Sequence, residues 1–104
     1  MNPEQMERYL KTIGDKSRLQ LLKALEQGTL CICDVHSLLD ISQPAVSQHM
    51  HRLKMDDIVH DERRGRWVYW SLNTSHPHYS LLLDLLELLP VPSINSRQEE
   101  IRCK

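Results

Sequence analysis

Residues 41–72 change their repeat once, abruptly, and that change constrains the fold more than any other feature of the chain. In "ISQPAVSQHMHRLK" the apolar Val46, Met50 and Leu53 recur at helical spacing, with Ser42 suited to an N-cap and Pro44 to the first turn. From Ile58 onward "IVHDERRGRWVYWSL" alternates instead, in two runs rich in β-branched and aromatic residues hinged at "RRG". Gly65 can take the positive φ that a tight hairpin requires. Val68, Trp70 and Leu72 should then share one face of the second strand, with Trp67 and Tyr69 on the other. A short helix over about residues 31–39 and the turn "DIS" precede the 42–54 helix, so two helices joined by a short turn run directly into a hairpin. The expected class is mainly α with one β-hairpin.

Two further helices lead this unit and one follows it. Pro3 opens the first, Met6, Tyr9, Leu10 and Ile13 give its apolar face, and Gly14 ends it. The second starts near Asp15 or Ser17, buries Leu19, Leu22, Ala24 and Leu25, and stops at "EQG". In the last helix seven of the nine residues from Leu81 to Leu89 are leucine, and Asp84 and Glu87, spaced i, i+3, form one narrow polar stripe. A helix apolar nearly all round must be buried on more than one side. One small domain rarely supplies both walls, so the expected second wall is a twofold partner. The homodimer contacts are placed on the first and last helices, at Met6, Tyr9, Leu10 and Ile13 and at Leu82, Leu85, Leu86 and Leu89; a central helix in a monomer is the alternative. Residues 1–90 form the domain. Residues 91–104, polar and punctuated by proline, are expected to be a flexible tail spanning up to ~45 Å.

Length and composition exclude several classes. A chain of 104 residues, 40% apolar and 26% charged, fits one soluble domain with a modest core. No apolar run approaches the ~18–20 residues needed to span a bilayer, and "MNPEQMERYL" has no signal-peptide character, so a cytoplasmic location is expected. There three cysteines read as ligands or reactive thiols rather than as a disulfide framework. No Cys-x-x-Cys accompanies a βαβ pattern and no glycine loop could cradle a phosphate, so a thiol enzyme is a poor reading.

The net charge of −1 gives no global basic footprint, and a nucleic-acid role must rest on local clustering. On a helical wheel Pro44, Ser47, Gln48, His51 and Arg52 lie opposite Val46, Met50 and Leu53, flanked by Gln43 and Lys54. That outward face carries no acid. Glutamine can bond adenine edges and serine either base type or phosphate, while Arg52 and Lys54 suit phosphates. Arg63, Arg64 and Arg66 surround the hairpin glycine as a local positive prong, which Asp61 and Glu62 partly offset. A charged turn facing water is the plainer reading of the prong alone. Placed directly after a helix-turn-helix, it reads as the wing of a winged helix-turn-helix that binds double-stranded DNA. A winged helix that contacts only protein is the competing class, disfavoured by the prong and the acid-free face.

The order of helices with "LCICD", "ISQPAVSQHMHRL" and "RRGRWVYWSL" resembles the ArsR/SmtB family of dimeric winged-helix metal- and metalloid-sensing repressors, over about residues 5–89. The resemblance implies a repressor that holds its operator until an inducer releases it. It places Gln43, Ser47 and Gln48 among the DNA-contacting positions of the recognition helix. It also marks C-x-C-D in this helix as a thiolate site for arsenite, antimonite, cadmium or lead. Some arsenic sensors carry a third cysteine three residues after the second; His36 stands there. Residues 1–30 hold no cysteine, unlike cadmium and lead sensors with N-terminal thiols. Other arsenic sensors also end in cysteine, so the resemblance implies Cys103 on the tail as third ligand beside Cys31 and Cys33 for As(III) or Sb(III), with an unused tail residue as the equal alternative. A borderline ion such as Zn, using Cys33 and His36 with Cys31, is the alternative, as is thiol oxidation. The zinc pattern that the family carries on its last helix is not matched around His76, His78, Asp84 and Glu87.

Residues i and i+2 stand roughly 200° apart on a regular helix, so Cys31 and Cys33 are expected to diverge unless the first turn is frayed or ligand binding unwinds it. The expected switch is a ligand that trades helix at residues 30–34 for bonds to sulfur. A helix N-terminus also favours the thiolate form.

Overall fold

The computed structural model describes residues 1–91. Its elements run α1 (Pro3–Ile13), α2 (Lys16–Glu26), β1 (Leu30–Cys31), α3 (Ile32–Ser37), α4 (Gln43–Met55), β2 (Val59–Arg64), β3 (Trp67–Leu72) and α5 (Tyr79–Leu86). The antiparallel sheet has the order β1-β3-β2. This is the expected winged helix-turn-helix, with one strand that the periodicity did not reveal.

Local chemistry sets the helix limits. Asn2 caps α1 in a reciprocal capping box with Gln5, at 2.8 and 3.0 Å, and Pro3 occupies the first turn. Gly14 closes it, its N–H bonded to the Leu10 carbonyl at 2.8 Å. A Cβ at Gly14 would sit 2.6 Å from that carbonyl oxygen, so the close approach admits only glycine. Asp15 caps α2 and Ser42 caps α4 through its hydroxyl. At the hairpin tip Gly65 has φ +63°, while Arg66 is not left-handed, the pattern of a type II′ turn.

The core lies between α2, α4, α5 and the inner face of β3. Leu21, Leu22, Val35, Val46, Met50, Leu53 and Leu86 are all but inaccessible to water, and Trp70 and Leu72 close the sheet side. The α4 wheel thus holds: its three expected core residues are each 0% exposed.

α5 is shorter than the leucine run. It stops at Leu86, where the buried Lys23 ammonium bonds the Leu86 carbonyl at 2.9 Å while pairing with Glu26 at 2.7 Å. The same carbonyl accepts the Leu89 N–H at 3.0 Å, so the ammonium adds a second bond at the negative end of the helix. Of the positions expected to meet a second subunit, Tyr9, Ile13, Leu82 and Leu86 are instead spent in the chain's own core. Met6 and Leu10 are 49% and 48% exposed, and Leu85 and Leu89 are half-buried. Leu81 and Leu88, outside the expected set, are 43% and 81% exposed. The assigned tail, apart from Val91, lies outside the described residues. Among the described residues no helix is long and apolar enough to cross a membrane.

Candidate DNA interface and thiol site

With Val46, Met50 and Leu53 turned inward, α4 leaves Gln43, Ser47, Gln48, His51 and Arg52 exposed along one side. The cations around this face are not equivalent. Lys54 Nζ pairs with Asp61 at 2.9 Å, tying the end of α4 to β2. Arg64 pairs with Glu62 and lies 4.9 Å from the centroid of the Tyr69 ring. Arg63 and Arg66 are exposed and make no ion pair among the described residues. Arg52 Nε donates to the Thr12 hydroxyl at 3.3 Å, so this expected phosphate ligand is partly held by α1.

Thr12 belongs to a polar clamp between α1 and the end of α4. It is wholly buried and donates to Asp56, the C-cap of α4, which also accepts two bonds from Arg8 at 2.9 and 2.6 Å. Burial alone would raise the Asp56 pKa, but hydrogen bonds from Thr12 and Arg8 and the charges of Arg8 and Arg52 outweigh it and hold the carboxyl below its ordinary range. On the other side Arg18 of α2 bonds the Thr12 and Lys11 carbonyls at the end of α1 and reaches His49 Nδ1 on α4 at 3.1 Å. Neither Arg18 nor Asp56 has a sequence signal; both become visible only when helices distant in sequence pack.

The thiol site departs from its expected geometry. Cys31 is not inside the helix. It is the N-cap of α3, with extended backbone at φ −73° and ψ 155°, and at the same time the last residue of β1. Its sulfur accepts the Cys33 N–H at 3.4 Å, and the two Sγ atoms lie 2.8 Å apart. The 200° divergence of a regular helix therefore does not arise, and convergence requires no unwinding. Cys31 is 3% exposed and Cys33 half-buried.

β1 pairs Leu30 with Trp70 and Cys31 with Tyr69 on β3. The aliphatic run "TLCI" after Gly28 was the available signal for this strand. Two sulfurs within reach of one another suit a soft, thiophilic centre. Among the described residues no group of three His, Cys, Asp or Glu side chains is placed to hold one metal ion, so His36 on α3 does not complete a set with the two cysteines. Cys103 lies outside the described residues.

A helix-turn-helix whose second helix presents an acid-free outer face, followed by an arginine-tipped hairpin, defines a winged-helix DNA-binding regulator. Residues 15–61 match the arsR family of bacterial regulatory proteins. The arsenical resistance operon repressor of Staphylococcus aureus is 31% identical over 104 residues, covering 100% of this chain and 93% of that one. The transcriptional repressor SdpR of Bacillus subtilis (strain 168) is 34% identical over 70 residues, 67% of this chain and 78% of that one. A cadmium resistance transcriptional regulatory protein CadC homolog of Staphylococcus aureus is 32% identical over 76 residues, 72% of this chain and 63% of that one. Among solved structures, HlyU from Vibrio cholerae N16961 superposes with a TM-score of 0.73 at 27% identity, over 85% of this chain and 97% of that chain. The chain belongs to the arsR family: it is a DNA-binding transcription regulator and not an enzyme.

Proposed function

We propose that this protein is a homodimeric repressor that occupies double-stranded operator DNA and releases it when trivalent arsenic or antimony binds Cys31 and Cys33, with Cys103 as third ligand. The observation that carries the reading is the 2.8 Å approach of the two sulfurs at the helix that leads into the recognition unit. With arsenous acid and the cysteines in their reduced form, each As–S bond forms as an As–OH bond breaks, and the hydroxide leaves as water with the thiol proton; from that reduced form no electron is transferred. The full-length match to an arsenical resistance repressor supports the same ligand class.

Gln43, Ser47 and Gln48 read the major groove in this proposal, Arg52 and Lys54 hold phosphates, and Arg63, Arg64 and Arg66 reach the flanking backbone or minor groove. The exposed Met6 and Leu10 of α1, with Leu81 in the first turn of α5 and Leu88 just past its end, supply an apolar surface for a second copy. The dimer would set two recognition helices one DNA turn apart, about 34 Å.

A second reading keeps the repressor and changes the signal to Zn, Cd or Pb, favoured by the relative named for cadmium resistance. The experiment that separates the two is release of labelled operator DNA with arsenite, antimonite, zinc, cadmium and lead tested side by side. Release by arsenite and antimonite at the lowest concentrations supports the first reading; release by the divalent ions alone overturns it.

A further inference from the structure

We infer that Arg8 and Thr12 of α1 are positioning residues for a DNA phosphate contact made by Arg52 on the recognition helix. The inference rests on the phosphate role proposed for Arg52 and names what keeps that side chain available. Arg52 and Asp56 stand i, i+4 at the end of α4, the spacing at which an arginine and an aspartate pair along a helix face. Such a pair would cancel the charge that a phosphate needs. It does not form: among the described residues Arg52 makes no ion pair.

α1 prevents that pair with an i, i+4 pair of its own. Arg8 takes Asp56 Oδ1 with two bonds, at 2.9 and 2.6 Å, and the Thr12 hydroxyl donates its one proton to Oδ2. Both carboxylate oxygens are thus occupied, and Asp56, whose side chain is 9% exposed, is neutralised by Arg8 instead of by Arg52. The Thr12 oxygen still has lone pairs and accepts Arg52 Nε at 3.3 Å. Thr12 is wholly buried, so this acceptor is held in place. Fixing Nε orients the planar guanidinium of an exposed residue, and its two Nη groups make no hydrogen bond among the described residues. Parallel N–H donors in one plane are the geometry that clasps a phosphate.

The test uses the full-length protein and a labelled duplex that it selects from a random-sequence pool, with binding read by fluorescence anisotropy over a salt series. Each variant is measured well below its melting temperature, where lost stability does not move a salt slope. Arg52→Ala should weaken binding at least about threefold and flatten the line of log K against log salt by about 0.9 for each protomer bound. Thr12→Val, nearly isosteric but without the hydroxyl, should flatten it as much, and Thr12→Ser should restore the wild-type slope. Arg8→Gln lies outside the core and frees Asp56 to pair with Arg52, so the same flattening is expected; where Thr12→Val does not fold, Arg8→Gln alone decides. In an Arg52→Ala background neither substitution should change the slope further. A wild-type slope in Thr12→Val or Arg8→Gln, no rescue by Thr12→Ser, or additive losses in the double variants overturns the positioning role and leaves Arg52 as a phosphate ligand. A wild-type slope in Arg52→Ala overturns both.

Discussion

Arg18 and His49 join α2 to the outer edge of the recognition helix, with Nη1 3.1 Å from Nδ1, while the same guanidinium bonds the last carbonyls of α1. One side chain thus fixes where three helices sit relative to one another. Arg18→Ala should cost about 1–3 kcal/mol by leaving those groups unsatisfied. The recognition helix should also lose operator affinity beyond what the lower stability explains. Anisotropy measured well below the melting temperature is the check, and unchanged affinity there would show that Arg18 serves folding alone.

The Asp56 clamp makes an acid-stability prediction. Its folded-state pKa lies below the unfolded value of about 3.9, so its contribution is complete above that value and is lost as pH falls through the folded pKa. Asp56→Asn should lower Tm at pH 7, at a cost of about 1–3 kcal/mol, and the gap from wild type should narrow below about pH 4. Parallel Tm–pH curves for the two proteins would contradict the assignment.

Gly65 holds the wing tip at φ +63°, where a Cβ is disfavoured by about 1–2 kcal/mol. Gly65→Val should weaken operator binding several-fold while leaving the helical circular dichroism near wild type, because the core contains no part of the turn. A variant that binds DNA normally would remove the wing from the interface.

Base and phosphate contacts predict different signatures on α4 and the wing. Gln48→Ala should cost about 1–3 kcal/mol and relax the preference at one base pair. Arg63→Ala should weaken all sequences alike and reduce the salt slope by about one. Titrations at several salt concentrations against operator and scrambled DNA distinguish them; identical behaviour of the two variants would overturn the division of roles.

Serine at either thiol position should leave operator binding within about threefold of wild type and abolish release by arsenite, since a hydroxyl is a poor ligand for a soft centre and at position 31 it also keeps the cap. Loss of DNA binding in either variant would make the thiols structural.

The parts of the fold written in local periodicity were legible: the inward Val46, Met50 and Leu53, the caps at Asp15 and Ser42, and the hairpin around Gly65. The thiol geometry was only partly legible: an irregular first turn was one of the two ways the sulfurs could converge, but a two-residue strand has no period to detect, so Cys31 as N-cap and strand end could not be read. The leucines of α5 were over-assigned to a partner for a related reason. Hydrophobicity says that a side chain must be buried, and only packing says by whom; Leu82 and Leu86 are covered by this chain itself. Arg18 and Asp56 gain their meaning from neighbours 31 and 44 positions away in sequence, His49 and Thr12.

Position 31 must both cap a helix and pair with a strand, and the residues that meet those demands at least cost are not all ligands for a soft centre. Serine meets the structural demand, and a single-base change converts a cysteine codon to it. Under the proposed thiol-sensing function, the shortest mutational step away from a working sensor is then not an unstable protein but a sound one that no longer hears its signal. In a population exposed to the toxic ligand only intermittently, such an uninducible repressor would persist silently through every unexposed generation and be removed only when the ligand returned.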